Sequence, residues 1–278
     1  MKVLCSSLSC FCRPTGMRLL IFHALLFIPL FCLNTAFANT SGTWKWLGGP
    51  SGGLGYDIRM HPDNSDIMFV TDALTGVYKS TDGGGTWTAS NHGITTRSGA
   101  SKDSIPAFCL TIDPNDPDII WTGMSDFLGV YRSRDQGGTW VEKTNGIVES
   151  AGISFRGFTV EPGNSSVVYG AAEISSYEWS GDVRTGKEFD LTRGVVYKTI
   201  DGGENWEAVW RGDNLARYIW IHPENTDIVY VSTGIFDREA ANSDAATETP
   251  GGEGVIKSAD GGVHWTGDNR GRRHFFAG

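Results

Sequence analysis

The sequence predicts an all-β protein, a β-propeller built from four-stranded antiparallel blades, on three observations. A short motif ending in tryptophan occurs four times, a proline signature precedes each copy, and the chain is rich in glycine. Of the 278 residues 37 are glycine, and the hydrophobic share of 40% is too high for a disordered chain. The length is sufficient for one large β domain with its own core.

The tryptophan motif reads Ser/Thr-x-Asp-x-Gly-x-x-Trp, and we call each copy an Asp hairpin. Aspartate accepts hydrogen bonds from backbone N–H groups in a turn, glycine supplies a positive φ, and tryptophan packs between sheets. The motif is therefore predicted to form the turn between the third and fourth strands of each blade. The four copies are Ser80–Trp87, Ser133–Trp140, Thr199–Trp206 and Ser258–Trp265.

A second signature places the first two strands of each blade. A residue followed by proline ends strand A, and a β-branched residue five positions after the proline lies in strand B. The prolines are Pro62, Pro114, Pro162 and Pro223, and the β-branched residues are Ile67, Ile119, Val167 and Ile228. The repeat interval of about 50 to 65 residues is typical of propeller blades, which we predict at residues 44–91, 105–145, 153–211 and 215–268.

The first 38 residues are predicted to be a signal peptide. The apolar run Leu19–Phe31 follows Arg13 and Arg18 and precedes Ala36-Phe37-Ala38, a small-x-small cleavage pattern. A run of about 13 residues is short for a membrane span, which needs about 20, although a membrane anchor remains the alternative. We therefore expect a secreted or periplasmic protein, residues 39–278, without a membrane span after cleavage.

Charge and cysteine content exclude several function classes. The formal net charge is −9, and no basic stripe is present, so a nucleic-acid partner is not expected. Four of the five cysteines lie in the predicted signal peptide, so Cys109 has no disulfide partner and is predicted to be a small buried hydrophobe. No cofactor or metal is predicted, because one carboxylate per Asp hairpin is too few for a calcium ion with six to eight oxygen ligands.

The stretch Trp44–Trp87 carries a resemblance to a known family. It reads W-K-W-L-G-G, then G-Y-D-I-R-M-H-P, F-V-T-D and finally G-V-Y-K-S-T-D-G-G-G-T-W. Together with the Asp hairpins, it resembles the Asp-box (BNR-repeat) propeller superfamily, and in particular the N-terminal propeller of the xyloglucanase-type family 74 glycoside hydrolases. The resemblance implies a β-propeller and an activity on β-glucan or xyloglucan. Sialidases share such motifs, but the sequence shows no recognisable arginine cluster or Arg-Ile-Pro element.

Asp72 is the catalytic residue that the resemblance implies. The family carries T-D-x-G-G-x-Y at this turn, and its aspartate is one of two catalytic carboxylates. The corresponding stretch of this chain reads Thr71-Asp72-Ala73-Leu74-Thr75-Gly76-Val77-Tyr78. It has one more residue than the motif between the aspartate and the last glycine. The alternative is that Asp72 only turns the chain after strand B. The second repeat has Ser125-Asp126 at the corresponding place, which favours that structural interpretation.

Further candidates lie in two long loops. Because connections alternate between the two ends of antiparallel strands, the A–B turns and Asp hairpins share one face, the hairpin face, while B–C and D–A loops share the other, the loop face. The expanded B–C loops, roughly residues 172–193 and 234–253, therefore belong to the loop face, where a ligand site is expected. The candidates for binding a polysaccharide by aromatic stacking and hydrogen bonding are Glu173, Tyr177, Glu178, Trp179 and Asp237.

These observations predict a secreted, glycoside-hydrolase-like propeller that acts on or binds polysaccharide. The alternative is a non-catalytic Asp-box propeller that serves as a scaffold for a glycan or for an extracytoplasmic protein. Thr43-Trp44-Lys45-Trp46 resembles the start of a fourth strand, and four blades form either a small closed ring or part of a larger propeller, which we favour. Hydrolysis needs two carboxylates, so the chain by itself is expected to be inactive.

Overall fold

A computed structural model of the chain describes residues 49–50, 55–149, 152–174, 193–212, 215–234 and 254–267. The chain divides into two compact units, residues 1–45 and 46–278, and every described residue lies in the second. The described ranges contain sixteen strands and no helix, so none of their elements is an apolar helix long enough to cross a bilayer. The predicted strand at Thr43-Trp44-Lys45-Trp46 lies outside the described residues.

The strands form four sheets of four, each antiparallel and each in chain order, which confirms the predicted fold class. The first sheet contains β1 Gly55–His61, β2 Asn64–Asp72, β3 Gly76–Ser80 and β4 Thr88–Ala89. The second contains β5 Ala107–Ile112, β6 Ile120–Met124, β7 Val130–Ser133 and β8 Val141–Glu142. The third contains β9 Ile153–Glu161, β10 Asn164–Ile174, β11 Arg193–Thr199 and β12 Glu207–Gly212. The fourth contains β13 Leu215–Ile221, β14 Val229–Gly234, β15 Val255–Ser258 and β16 Thr266–Gly267.

Each Asp hairpin is held by its own aspartate. In the first sheet the carboxylate of Asp82 accepts hydrogen bonds from the Thr86 backbone N–H, the Thr86 hydroxyl and the Ser80 hydroxyl, each at 2.8 Å. The Ser80 hydroxyl in turn accepts the Gly84 N–H at 2.9 Å. The same pattern recurs in the other three sheets. The aspartates are therefore turn-forming residues, and the described residues contain no cluster suited to a metal ion.

The hairpin face and the loop face are separated as the topology predicts. The A–B turn of each sheet accepts a hydrogen bond from the Asp hairpin of the same sheet, as in Gly83 N–H to Asp66 O at 2.9 Å and Gly202 N–H to Ser166 O at 2.8 Å. Asp72 lies at the opposite end of β2, where it pairs with Gly55 and Gly76. Asp72 is thus on the loop face, away from the Asp hairpins.

The sheets stack in chain order around three apolar cores. Phe69, Tyr131 and Trp140 lie in the core between the first and second sheets. Trp121, Phe155 and Trp206 lie in the next core, and the third core includes Tyr169, Val196 and Ile256. Burying these large side chains supplies the main favourable free energy of folding, at roughly 25 cal/mol per Å² of apolar surface.

The first strands of the four sheets, β1, β5, β9 and β13, lie side by side, and we call them the inner strands. A side chain on one inner strand caps a backbone carbonyl on the next. The Arg59 Nε donates to Leu110 O at 2.8 Å, the Thr111 hydroxyl to Phe158 O at 3.0 Å, and the Thr159 hydroxyl to Ile219 O at 2.9 Å. All three donors stand three residues before the proline of their repeat. The caps satisfy edge carbonyls that have no strand partner.

Two of the four motif tryptophans, Trp140 and Trp206, join neighbouring sheets near the hairpin face. Trp140 donates its backbone N–H to His92 O at 2.8 Å and its indole N–H to Ser90 O at 2.7 Å. Trp206 makes the equivalent bonds to Asn145 O and Lys143 O, both at 2.9 Å. The indole N–H of Trp87, in the first sheet, is buried and has no hydrogen-bond partner among the described residues.

A glycine makes each of these two junctions possible. Gly93 and Gly146 have φ of +95° and +89°, and a Cβ on either would lie 2.1 Å from the carbonyl oxygen of the tryptophan that docks there. Both the left-handed backbone and the close approach therefore require glycine.

We predict that Gly93→Ala lowers the free energy of unfolding by about 2 to 5 kcal/mol, because it adds left-handed strain to a backbone clash. Gly163→Ala is the matched control, since Gly163 also has a positive φ, +77°, but has open space around its Cβ position. Urea denaturation of both variants tests this. Equal losses would show that strain alone matters and that the junction tolerates a methyl group.

The Asp hairpins also predict how stability depends on pH. Hydrogen bonds from the Asn205 side chain and backbone and from Thr199 lower the pKa of Asp201 to about 2, below the value of about 3.9 in an unfolded chain. The stabilisation is therefore complete above pH 4 and is lost as the pH falls towards 2. We expect the Tm of Asp201→Asn to fall less steeply than that of the wild type between pH 4 and 2, measured by circular dichroism. Parallel curves of Tm against pH for the variant and the wild type would contradict this expectation.

Candidate functional site

Asp72 ends β2 on the loop face and is almost fully buried, at 3% exposure. Its Oδ1 accepts three hydrogen bonds at 2.9 Å, from the Leu74 N–H, the Thr75 N–H and the Thr75 hydroxyl. The carboxylate therefore holds the turn that leads to β3, in the manner of an Asx turn. The additional residue between Asp72 and Gly76 is accommodated in this turn, where Gly76 has a φ of +90°.

A cleft of about 360 Å³ adjoins Asp72 along the first sheet. Ile58 and Val70, which pair across β1 and β2, lie in its wall, and Ile58 is largely exposed. Its lining combines apolar side chains with two carboxyl groups, a composition suited to a sugar ring with hydroxyl groups at its edge. The lining residues are Pro50, Gly55, Tyr56, Asp57, Ile58, Val70, Thr71 and Asp72.

Asp57, the other carboxyl group of the cleft, has a structural partner on the next sheet. Its Oδ2 accepts the Leu110 N–H at 3.0 Å and an Arg59 N–H at 3.0 Å. Burial raises the pKa of Asp57, while the bonds to Leu110 and the charge of Arg59 oppose that rise. Asp57 accepts the N–H of Leu110, and Arg59 donates to the carbonyl of the same residue. Asp57 therefore contributes to sheet stacking as well as to the cleft wall.

Glu173 lies in strand β10, paired with Ser154 and Gly194, so the prediction that it belongs to the expanded loop is wrong. The strand extends to Ile174 because the inner strand β9 continues beside it as far as Ile153. The side chain is largely buried and forms an ion pair with Arg156. Burial raises the pKa of the Glu173 carboxyl, and the charge of Arg156 opposes that rise. Glu173 therefore faces the interior near the inner strands.

A second cavity, of about 230 Å³, opens where the inner strands begin, at the loop face. Three arginines from three different sheets line it, Arg59 on β1, Arg156 on β9 and Arg217 on β13. The guanidinium carbon of Arg156 lies 4.4 Å from the centroid of the Phe108 ring, in cation–π contact. We call this space the arginine cavity, and its lining is Tyr56, Asp57, Arg59, Phe108, Arg156, Arg217 and Tyr218.

Sequence reasoning missed the arginine cavity. Each of the three arginines stands in a different repeat and is far from the others along the chain, so no local motif marks them. All three stand in strand A of their repeat, and aligning the repeats by their prolines would have assigned them to the inner strands. The earlier conclusion that the chain has no arginine cluster holds for local sequence and not for the folded chain.

The remaining candidates for polysaccharide binding lie outside the described residues. They are Tyr177, Glu178, Trp179 and Asp237. Cys109 is buried at 2% exposure, and burial raises the pKa of its thiol to about 12, so the thiol is not ionised at neutral pH. The prediction that Cys109 is a small buried hydrophobe is confirmed.

Comparison with known proteins supports the resemblance seen in the motifs. No family model matches the chain. A xyloglucanase from a Paenibacillus species is 22% identical over 257 residues, 84% of this chain and 23% of that protein. A xyloglucanase from Hypocrea jecorina (strain QM6a) is 27% identical over 157 residues, 51% of this chain and 18% of that protein. The chain thus spans less than a quarter of the length of these relatives.

A solved structure is similar over most of the chain. The crystal structure of an ancestral GH74 enzyme matches 81% of this chain and 25% of its own, with a TM-score of 0.54 and 19% identity. At that identity the match shows the fold. Together with the two xyloglucanases, it confirms the resemblance to the propeller of the family 74 glycoside hydrolases.

The hydrogen bonds of Asp72 predict different effects for two substitutions. Asp72→Ala removes the acceptor of two backbone N–H groups and should lower the free energy of unfolding by about 1 to 3 kcal/mol. Asp72→Asn keeps an Oδ1 acceptor and should remain within about 1 kcal/mol of the wild type. Urea denaturation measures both. An equal loss in the two variants would show that the negative charge, rather than the acceptor, holds the turn.

Proposed function

We propose that the protein is exported and binds a β-glucan polysaccharide of the xyloglucan type at the loop face, in the cleft beside Asp72. The position of Asp72 in that cleft is the observation that carries the proposal. It puts the residue implied by the family resemblance at the wall of a space large enough for a sugar. The sequence similarity to two xyloglucanases supports the choice of polysaccharide.

Asp72 is proposed to be one carboxylate of a hydrolytic pair. Glycoside hydrolysis by the usual route needs a second carboxyl group, about 5 to 5.5 Å away in retaining enzymes and 6.5 to 9.5 Å away in inverting enzymes. Asp57 shares the cleft, but its Oδ2 is bonded to Leu110 and Arg59. We assign the second catalytic carboxylate to a part of the protein outside the described residues, and in this proposal the described sheets supply binding and one catalytic group.

A non-catalytic scaffold is the second candidate, and the three hydrogen bonds to the Asp72 Oδ1 favour it. An aspartate that only caps a turn has the same partners. In that case the loop face would bind the glycan, and replacing the charge of Asp72 would leave any hydrolysis unchanged. The two candidates differ in the outcome of a single substitution.

Asp72→Asn separates the candidates, because it keeps the turn acceptor and removes the charge. In the whole secreted protein we expect the variant to retain xyloglucan binding within about threefold in affinity gels. Release of reducing ends should fall about 10²- to 10⁴-fold, the usual contribution of a general acid or base. Xyloglucan is the substrate, and an unrelated polysaccharide is included to measure background binding.

Asp126→Asn is the matched control. Asp126 occupies the corresponding position of the second sheet, where its φ of +60° is one that asparagine also tolerates. The rate at which the Asp126→Asn variant releases reducing ends should remain within about twofold of the wild-type rate. Undiminished hydrolysis by Asp72→Asn would exclude the catalytic assignment and leave the scaffold, and absence of xyloglucan binding by the wild type would exclude both.

A further inference from the structure

The arginine cavity brings together two kinds of side chain that recognise different parts of one ligand. Arg59, Arg156 and Arg217 supply guanidinium groups, and Tyr56 and Tyr218 supply aromatic rings that are 50% and 67% exposed. These residues come from the first, third and fourth sheets, so stacking of the sheets creates the cavity. It lies at the loop face, where the inner strands begin.

Two of the three guanidinium groups are held in place by their own chain. Arg59 is bonded to Leu110 O and to Asp57, and Arg156 is paired with Glu173 and stacked on Phe108. A guanidinium has five N–H donors in a planar fork, so a group that already binds two oxygens, as Arg59 does, keeps donors for an oxyanion. Side chains held in this way lose little conformational entropy when a ligand binds.

The lining favours an anion attached to a ring, because three guanidinium groups outnumber the one carboxylate, that of Asp57, which is paired with Arg59. Guanidinium groups bind carboxylate and phosphate oxygens with matching geometry, whereas the exposed faces of Tyr56 and Tyr218 favour a flat apolar surface such as the C–H face of a pyranose. A volume of about 230 Å³ is below the roughly 300 to 1,000 Å³ of pockets that enclose drug-sized ligands. The space therefore suits one sugar residue and not an oligosaccharide.

We infer that the arginine cavity is a binding site for a single carboxylated sugar, a hexuronate, with its carboxylate on the arginines and its ring against Tyr56 and Tyr218. The site shares Tyr56 and Asp57 with the cleft beside Asp72, but it does not depend on hydrolysis there. It gives the loop face a preference for glycans that carry acidic residues, in addition to the neutral glucan of the proposed function.

Calorimetric titration of the whole protein with methyl β-D-glucuronide tests this site, with methyl β-D-glucoside and sodium sulfate as comparison ligands. We expect saturable binding of the glucuronide and at least tenfold weaker binding of the glucoside and of sulfate. Arg217→Gln should weaken glucuronide binding at least tenfold. Arg217→Lys, which keeps the charge and lacks the planar fork, should weaken it to a smaller extent and is the variant to use if the glutamine variant does not fold.

Two further variants make the test specific. Arg134→Gln removes an exposed arginine in the second Asp hairpin, on the opposite face, and should leave the affinity unchanged within twofold. Tyr218→Ala should weaken the binding of the glucuronide at least threefold. It should leave unchanged the binding of acetate, a carboxylate without a ring. The inference is overturned if the wild type shows no saturable glucuronide binding, if sulfate binds as tightly as the glucuronide, or if Arg134→Gln has the same effect as Arg217→Gln.

Discussion

The stacking of the sheets depends on the hydrogen bonds that satisfy the inner strands. An inner strand pairs with its own sheet on one side only, so its other edge has unpaired backbone groups that are costly to bury. Arg59, Thr111 and Thr159 each donate to a carbonyl of the next inner strand, and Asp57 accepts the Leu110 N–H. These bonds set the position of each sheet relative to the next, and the apolar cores and the loop-face cavities follow from that position.

The same stacking explains why the loop face carries the candidate sites. The hairpin face is occupied by turns whose polar groups are bonded to one another, as in Asp82 with Ser80 and Thr86. At the loop face the strands of different sheets begin and end next to one another, and side chains from separate repeats meet. Asp72 beside its cleft and the arginine cavity are both products of this arrangement. The two proposed sugar sites therefore lie at neighbouring places on one surface.

The fold was predictable because its signals are local, whereas the site was predictable only in part. All participants of an Asp hairpin lie within eight residues, so the motif in the sequence is already the turn in the structure. Asp72 was placed at the correct turn, but its three hydrogen bonds serve structure and leave its chemistry open. Glu173 was assigned to a loop because spacing alone does not show how far β10 extends. The convergence of Arg59, Arg156 and Arg217 is created by packing between repeats, which no single repeat contains.

The tryptophan junctions have a directional character. In both of them the donor belongs to the later sheet and the acceptor to the sheet before it, since Trp140 bonds to Ser90 and His92, and Trp206 to Lys143 and Asn145. Each junction therefore links a sheet only to its immediate neighbour, as in a linear array of repeats. Loss of one junction would therefore loosen the contact between two adjoining sheets and leave the contacts of the more distant sheets intact.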